Sequence, residues 1–455
     1  MFERLAIDLA GGAAVRSLCV AEIDGCGSPA LLLGVEGGPN RLFALTPRGP
    51  VPCAADAAAC PEEATTSLAA GDLDGDGAEE IFLAGRAASA AEGRTHLLDL
   101  EEGILRERLA EEQATALARL GEARACTLPA DIGRPQGVLV APRGGPAGFF
   151  TLDDGGCRDL AAGFGLAELL AASSLLFAPL FGERAVLAVF SEIGGSQLLL
   201  PDGSGMFAER RRGTGAILPG ARCGAAVPSA AHDGFDLFLG AAEGPLGLFT
   251  GLDAELLTDV SPPLLAAPAQ VTAALVADFD NDGADELFLC CRGEPNRLFG
   301  WREGGWRPLD VGAATLPLGA HELAAALDID GDGCLELLLF SGTPGHGEGV
   351  VFRAPPATGH SWIRVLPLAP EGAPARGATV VLVESGRCRR RVIDCGNGAV
   401  QSEPVAHFGL GRDGRPERVE IRWPDSAYFE IVAPAPGRLH RVPHPGRRLR
   451  RDAAR

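Results

Sequence analysis

Short apolar runs of strand length recur along this 455-residue chain, separated by polar turns rich in glycine and aspartate. SLAAG ends at Gly71 and IFLAG begins at Ile81; VTAALVA ends at Ala277 and LFLCC begins at Leu287. Runs of this kind bounded by Gly and Asp predict strands, and each pair predicts a β-hairpin. The second strand, of LFLxG type, is often followed by a third ending in Leu-Phe, as in PNRLF at 39–43 and 295–299 and GPLGLF at 244–249. One stretch departs from this pattern. GILRERLAEEQATALARL, from Gly103, has apolar residues near helical spacing and predicts a helix inserted between the second and third units.

Three of the hairpin turns carry one acidic formula: DLDGDGAEE from Asp72, DFDNDGADE from Asp278 and DIDGDGCLE from Asp328. Acids fall at positions 1, 3, 5 and 9, with Gly at position 6 where the chain must turn sharply. Oxygen ligands at that density suit a hard cation. An EF-hand begins alike, but it needs a bidentate Glu at position 12 between two helices, and position 12 here is Leu83, Leu289 or Leu339. The expected ligand sets for Ca²⁺, about three sites in all, are Asp72, Asp74, Asp76 and Glu80 with the Ala78 carbonyl; Asp278, Asp280, Asp282 and Glu286 with the Ala284 carbonyl; and Asp328, Asp330, Asp332 and Glu336 with the Cys334 carbonyl. The role expected of the ion is structural.

Asp280 and Asp330 hold the same loop position 50 residues apart, a period that signals an array of supersecondary units. Worn copies extend it: AEIDGCGSPALLLG keeps Glu22 and Asp24, ADIGRPQGVLVAP keeps only Asp131, and ERAVLAVF and HDGFDLFLG keep the strand without the loop. Seven units fit between about residues 15 and 355. Seven four-stranded units close into a propeller, which avoids open sheet edges by circular repetition. Loss of acids from four loops marks either a docking side of the ring or decay.

These loops and strands resemble FG-GAP repeats, also called VCBS repeats, of the integrin-α type. CRDLAAGFGL at 157–166, LLTDVSPP at 256–263 and DGSGMF at 202–207 are similar to the family's linking segments. GHSWIRV at 359–365, ARGATVVLV, QSEPVAHFGLG at 401–411 and VEIRWPDS at 419–426 resemble the ASPIC/UnbV domain that follows such a propeller in the cartilage acidic protein family and its bacterial relatives. The resemblance implies an all-β chain with a seven-bladed propeller over residues 1–357 and a small β-rich ASPIC/UnbV domain over 358–445; the basic composition of 446–455 predicts a disordered tail. The resemblance also implies a recognition or adhesion module whose partner is a protein or a glycan. No EGF-like module such as the animal proteins carry is expected within these 455 residues.

The formal charge of −20 speaks against nucleic acid, which needs clustered cations. The three complete loops supply 12 of the acids in ligand positions, and three bound Ca²⁺ would bring the total to about −14. The one basic cluster identified is the tail RLHRVPHPGRRLRRDAAR. Every basic residue is Arg and none is Lys, the mark of a GC-rich, bacterial genome. Twelve cysteines form no framework, although Cys53 with Cys60 and Cys388 with Cys395 are close enough in sequence to pair. The first residues, MFERLAIDLAGG, show no charged segment followed by an apolar one, and no 18-residue apolar run predicts a membrane span. Relatives of the resembled family are mostly secreted or periplasmic, and calcium loops favour those compartments too.

No catalytic constellation stands out. Gly203-Ser204-Gly205 is only a fragment of a nucleophile elbow. His407 has no Ser or Cys nucleophile assigned to it and is expected to order its own strand and turn. Asp394 and Glu403 could be imagined as a carboxylate pair for glycoside hydrolysis. The expectation is a non-catalytic protein. Two alternatives stay open: a hydrolase or lyase acting on a polysaccharide or phosphoester from a site in the central channel, and a structural subunit docking through its C-terminal domain.

Overall fold

The computed structural model describes residues 1–446 apart from 25–27, 54–62, 88–92, 102–103, 111–112, 115–121, 132, 143–144, 154–155, 170, 183–184, 192–194, 210–219, 230–231, 233, 252–256, 316–320, 343–346 and 356–358. Seven antiparallel sheets follow one another around a ring. Their innermost strands are Val15–Ala21, Glu63–Gly71, Ala123–Leu128, Ser174–Ala178, Ala221–Pro228, Val271–Ala277 and His321–Leu327, numbered here as blades 1 to 7. These strands converge on the axis, where space is least, and they are accordingly built from small residues such as Ala69, Ala70, Ala125, Ala273, Ala274, Ala324 and Ala325. The second strands diverge and carry the bulk: Phe82, Phe238, Phe288 and Phe340 are all fully buried. Each seam between neighbouring blades has its own apolar cluster, so burial is spread around the ring.

Closure uses both ends of the repeat region. Glu3–Arg4 pairs with Gly349–Arg353 as the outermost strand of blade 7. Phe2 is drawn into the seam between blades 6 and 7, edge-on to Phe279 at 4.9 Å. The helix expected from Gly103 begins instead as a strand: Ile104–Glu107 is the outermost strand of blade 2, paired with Gly93–Glu101. Gln113 and Ala114 are helical, and the rest of that expectation lies outside the described residues.

From Ser361 the chain builds two further sheets, one from Ser361–Pro367, Ala406–Gly411 and Leu439–Val442, the other from Thr379–Glu384, Arg387–Val392, Arg418–Arg422 and Tyr428–Val432. Ile363, Val365, Val380, Leu382, Phe408, Val419, Ile421 and Trp423 form their common core. One segment leaves this domain and enters the propeller axis. Val400 and Gln401 pair in parallel with Leu18 and Cys19 of blade 1. The Leu18 N–H donates to Ala399 O (2.8 Å), Ser67 Oγ to Gly398 O (2.6 Å), the Thr127 N–H to Cys395 O (2.7 Å) and the Leu175 N–H to Asn397 O (3.0 Å). The Gln401 amide accepts from the Ala70 N–H (2.6 Å) and donates to Ala70 O (3.1 Å) and Thr127 Oγ1 (3.0 Å). Residues 395–401 thus plug the channel by bonding to the inner strands of blades 1 to 4. Cys388 and Cys395 are free thiols, one exposed and one buried, so the pairing considered for them is absent; Cys60 lies outside the described residues.

Candidate metal centres beneath the C-terminal domain

Each acidic loop is wound around its first aspartate. In blade 2 the N–H groups of Gly75 and Asp76 donate to Asp72 Oδ1 (2.7 and 3.1 Å) and that of Gly77 donates to Oδ2 (3.0 Å). Blade 7 repeats this with Gly331, Asp332 and Gly333 on Asp328. In blade 6 Gly283 donates to Asp278 Oδ2 (2.9 Å), and Asn281 takes the left-handed φ of 58° that the other loops give to glycine. The ninth-position glutamate closes the loop from below. Glu80, Glu286 and Glu336 each accept the N–H of the second loop residue through Oε2, at 2.6, 3.1 and 3.0 Å.

The winding gathers carboxylate oxygens within 4.8 Å of one another: Asp72, Asp74 and Glu80; Asp278, Asp280 and Asp282; Asp328, Asp330 and Asp332. Asp76, Glu286 and Glu336 stand outside these three groups. The N–H groups of Ala78, Ala284 and Cys334 donate to Asp76, Asp282 and Asp332 at 2.7, 2.7 and 2.8 Å, which ties the seventh loop residue to the fifth. Two buried oxygens, Glu80 Oε1 and Asp278 Oδ1, have no hydrogen-bond partner. An all-oxygen donor set with orphaned buried carboxylate oxygens fits a hard divalent cation.

Without an ion these carboxyls hold protons well above their ordinary range. Burial, reinforced by Asp76, pushes Asp72 to about 7, and burial with Asp74 pushes Glu80 to about 9. Asp278 rises to about 7 through burial and then Asp285; Glu286 rises to about 9 through burial and then Asp278. Burial takes Glu336 to about 8. A carboxyl whose folded pKa is raised contributes stability below its unfolded pKa and loses it as pH rises through the folded value. The metal-free chain should therefore melt at progressively lower temperature from about pH 5 to about pH 9. A bound divalent cation replaces those protons, so the gain in melting temperature on adding it should grow over the same interval. Differential scanning calorimetry of chelator-treated protein at three pH values checks both signs.

The C-terminal domain sits on these loops. The Gly409 N–H donates to Asp278 Oδ2 (3.1 Å), the Gly411 N–H to Asn281 O (2.8 Å), and His407 Nε2 pairs with Asn281 Oδ1 (2.7 Å). His407 thus secures the domain interface rather than only its own turn. Burial and then the nearby Arg364, Arg391 and Arg389 hold it well below its usual pKa, as the neutral imidazole. The Trp362 ring covers Gly333 so closely that a Cβ there would lie 1.8 Å from it. Arg364 donates to Asp328 Oδ2 (2.7 Å) and also pairs with Glu403. Asp394 accepts the N–H groups of Ser402 and Gly396 at the base of the plug, while Glu403 pairs with Arg364. Ser204 merely caps an exposed turn through Asp202 at 2.6 Å.

Sequence reasoning missed the eighth loop position. Glu79 and Asp285, unassigned there, receive Arg376 and Arg391 of the C-terminal domain. It also missed a second basic cluster, RCRRRV at 387–392, whose alternation was visible. Arg389 and Arg391 share one face of their strand, turned to the blade 6 loop, while Arg390 takes the other. The retained loops lie on the docked side together with the worn loop of blade 1, whose Glu22 pairs with Arg441 at 2.9 Å, and blades 3 to 5 border a cleft. A cleft of about 710 Å³ separates the hairpins of blades 3 to 5 from the second C-terminal sheet; Arg134, Asp202, Arg390, Glu420, Arg422 and Tyr428 line it.

A seven-bladed propeller with acidic loops, capped and plugged by a small β domain, defines the class: residues 278–339 match the FG-GAP-like repeat and residues 369–448 match the ASPIC and UnbV family. The chain carries an FG-GAP-like repeat and an ASPIC/UnbV domain and is similar to cartilage acidic protein 1. Cartilage acidic protein 1 of Mus musculus is 31% identical over 396 residues, covering 78% of this chain and 60% of that protein. The Homo sapiens protein is 31% identical over 396 residues, 78% of this chain and 59% of its own length. The chain therefore spans about 60% of the length of these curated relatives. Among solved structures, BBS1N in complex with ARL6DN, soaked with lead, overlays with a TM-score of 0.47 at 10% identity, covering 78% of this chain and 95% of that one. Among the described residues no helix is long and apolar enough to cross a membrane.

Proposed function

We propose that the chain is a non-catalytic, calcium-stabilised recognition module that presents the cleft between blades 3 to 5 and the C-terminal sheet to a protein or glycan partner. The observation that carries this reading is the plug. An enzyme of this shape would be expected to work from the central channel, and residues 395–401 fill it with backbone and glutamine bonds. The cleft between blades 3 to 5 and the C-terminal sheet is a concavity of ligand size. Its walls offer the exposed ring of Tyr428 beside arginines and carboxylates, a mixture suited to polar partners.

Calcium is the ion best matched to these carboxylate-rich loops, because it takes many oxygen ligands in adaptable geometry. At about 1 mM calcium and a Kd of about 10 μM, each filled site contributes roughly 2.7 kcal/mol to stability. At submicromolar concentration it contributes almost nothing, so an extracellular or periplasmic location suits the sites. The test is binding of the labelled full chain to panels of surface glycans and extracellular proteins, repeated with Tyr428→Ala. Binding that falls about tenfold or more in the variant, with unchanged unfolding, supports the cleft. Turnover of a polysaccharide or phosphoester by the wild-type chain would replace this reading with the enzymatic one.

A further inference from the structure

The three acidic loops share a formula but not an electrostatic setting. In blade 7 every loop acid already meets a guanidinium. Arg353 reaches Asp330 Oδ2 at 2.8 Å, Asp332 Oδ2 at 3.2 Å and Glu336 Oε1 through Nε at 2.5 Å, while Arg364 takes Asp328 at 2.7 Å. In blade 6 Arg302 engages Asp282 (2.9 Å) and Glu286 (2.8 Å) and Arg389 stands 3.8 Å from Asp278 Oδ2, but no described arginine forms an ion pair with Asp280, and Asp278 Oδ1 stays buried without a partner. In blade 2 Arg108 lies 3.7 Å from Asp74 and closer to Asp99, at 3.3 Å. No described arginine forms an ion pair with Asp72, Asp76 or Glu80, and the buried Glu80 Oε1 has no partner.

The difference originates on the third strand of each blade. Arg353 is the cross-strand partner of Glu336, and Gly300 is the partner of Glu286. In blade 2 Leu98 is the partner of Ile81, so the residue facing Glu80 is Asp99. One register position thus carries a base, nothing, and an acid in blades 7, 6 and 2. A guanidinium there places positive charge and hydrogen-bond donors where a cation would collect the loop oxygens.

We infer that the blade 7 loop carries its own cation, Arg353, in place of a metal ion, and that blades 2 and 6 are the metal-binding loops, with blade 2 the most demanding. This rests on the calcium reading above. Isothermal titration of the full chain with Ca²⁺ tests it, beside Asp74→Asn, Asp280→Asn, Asp330→Asn and Arg353→Gln. Asp74→Asn and Asp280→Asn should each lower the number of bound ions by one, Asp330→Asn should leave it unchanged, and Arg353→Gln should raise it by one. Loss of an ion on Asp330→Asn overturns the inference, as does a folded Arg353→Gln chain with unchanged stoichiometry. If Arg353→Gln does not fold, the Asp330 comparison still decides. A wild-type chain that binds no calcium overturns the metal reading beneath it, and is recognised because Asp74→Asn then changes nothing either.

Discussion

Replacing Arg376 with methionine should destabilise the chain by about 3–5 kcal/mol, the cost of stranding a buried charge. Arg376 is 1% exposed, and all five of its N–H groups are used. Nε donates to Glu79 Oε1 (2.7 Å); one Nη reaches Glu79 Oε2 (3.3 Å) and Val20 O (2.7 Å); the other reaches Asp394 O (2.9 Å) and Ser402 O (3.4 Å). One side chain therefore joins blade 1, the blade 2 loop and both ends of the plug. Methionine fills a similar volume but leaves Glu79 buried and unpaired with three carbonyls unserved. Urea denaturation measures the loss, and Glu79→Gln in the same chain should recover part of it. A loss under about 1 kcal/mol would mean that water and neighbouring dipoles serve Glu79 as well as the guanidinium does.

That arrangement explains which loops kept their acids. Blades 2, 6 and 7 retain the full formula and lie under the C-terminal domain, and the worn loop of blade 1 keeps Glu22, which pairs with Arg441 at 2.9 Å. Blades 3 to 5 have no comparable set, and there the domain stands away to leave the cleft. The C-terminal domain docks on the same acidic turns that gather carboxylates, through the eighth position in blades 2 and 6 (Glu79 with Arg376, Asp285 with Arg391) and through the first in blade 7 (Asp328 with Arg364).

The propeller was legible because its signals are local and repeated. Apolar runs of strand length, separated by D-x-D-x-D-G turns at a 50-residue period, specify hairpins and their count. What sequence reasoning missed depends on distant pairing. Glu3–Arg4 is too short to read as a strand, and only its partner near Arg353 makes it one. The plug offered no periodicity, because its bonds run to residues hundreds of positions away, as from Gln401 to Ala70. The helix assigned from Gly103 failed where Ile104–Glu107 completes the sheet of blade 2, since pairing along an open strand edge overrides a weak helical pattern. Arg353 was legible as a residue but not as a neighbour, because cross-strand register alone puts it opposite Glu336.

A chain ended after Ala354 should fail to give a soluble, cooperatively folding propeller, although all seven sheets lie before that point. Truncation removes the acceptors of the Leu18, Thr127, Leu175 and Ala70 N–H groups and of the Ser67 hydroxyl, together with one of the two side-chain donors to Ala70 O, the other being Thr127 Oγ1. Inner-strand groups that lose their partners cost about 1–3 kcal/mol each where water cannot replace them. Glu79, Asp285 and Asp328 lose their arginines at the same stroke, so like charges crowd the loops on that face. Summed, these losses are of the same order as the net stability of an ordinary domain, about 5–15 kcal/mol. Size-exclusion chromatography and thermal unfolding of the truncated chain in millimolar calcium decide the matter. Aggregation or a broad, uncooperative transition is the expected result. A monodisperse species with a sharp transition would show that the channel hydrates readily and that the C-terminal domain is an accessory to the propeller rather than part of its fold.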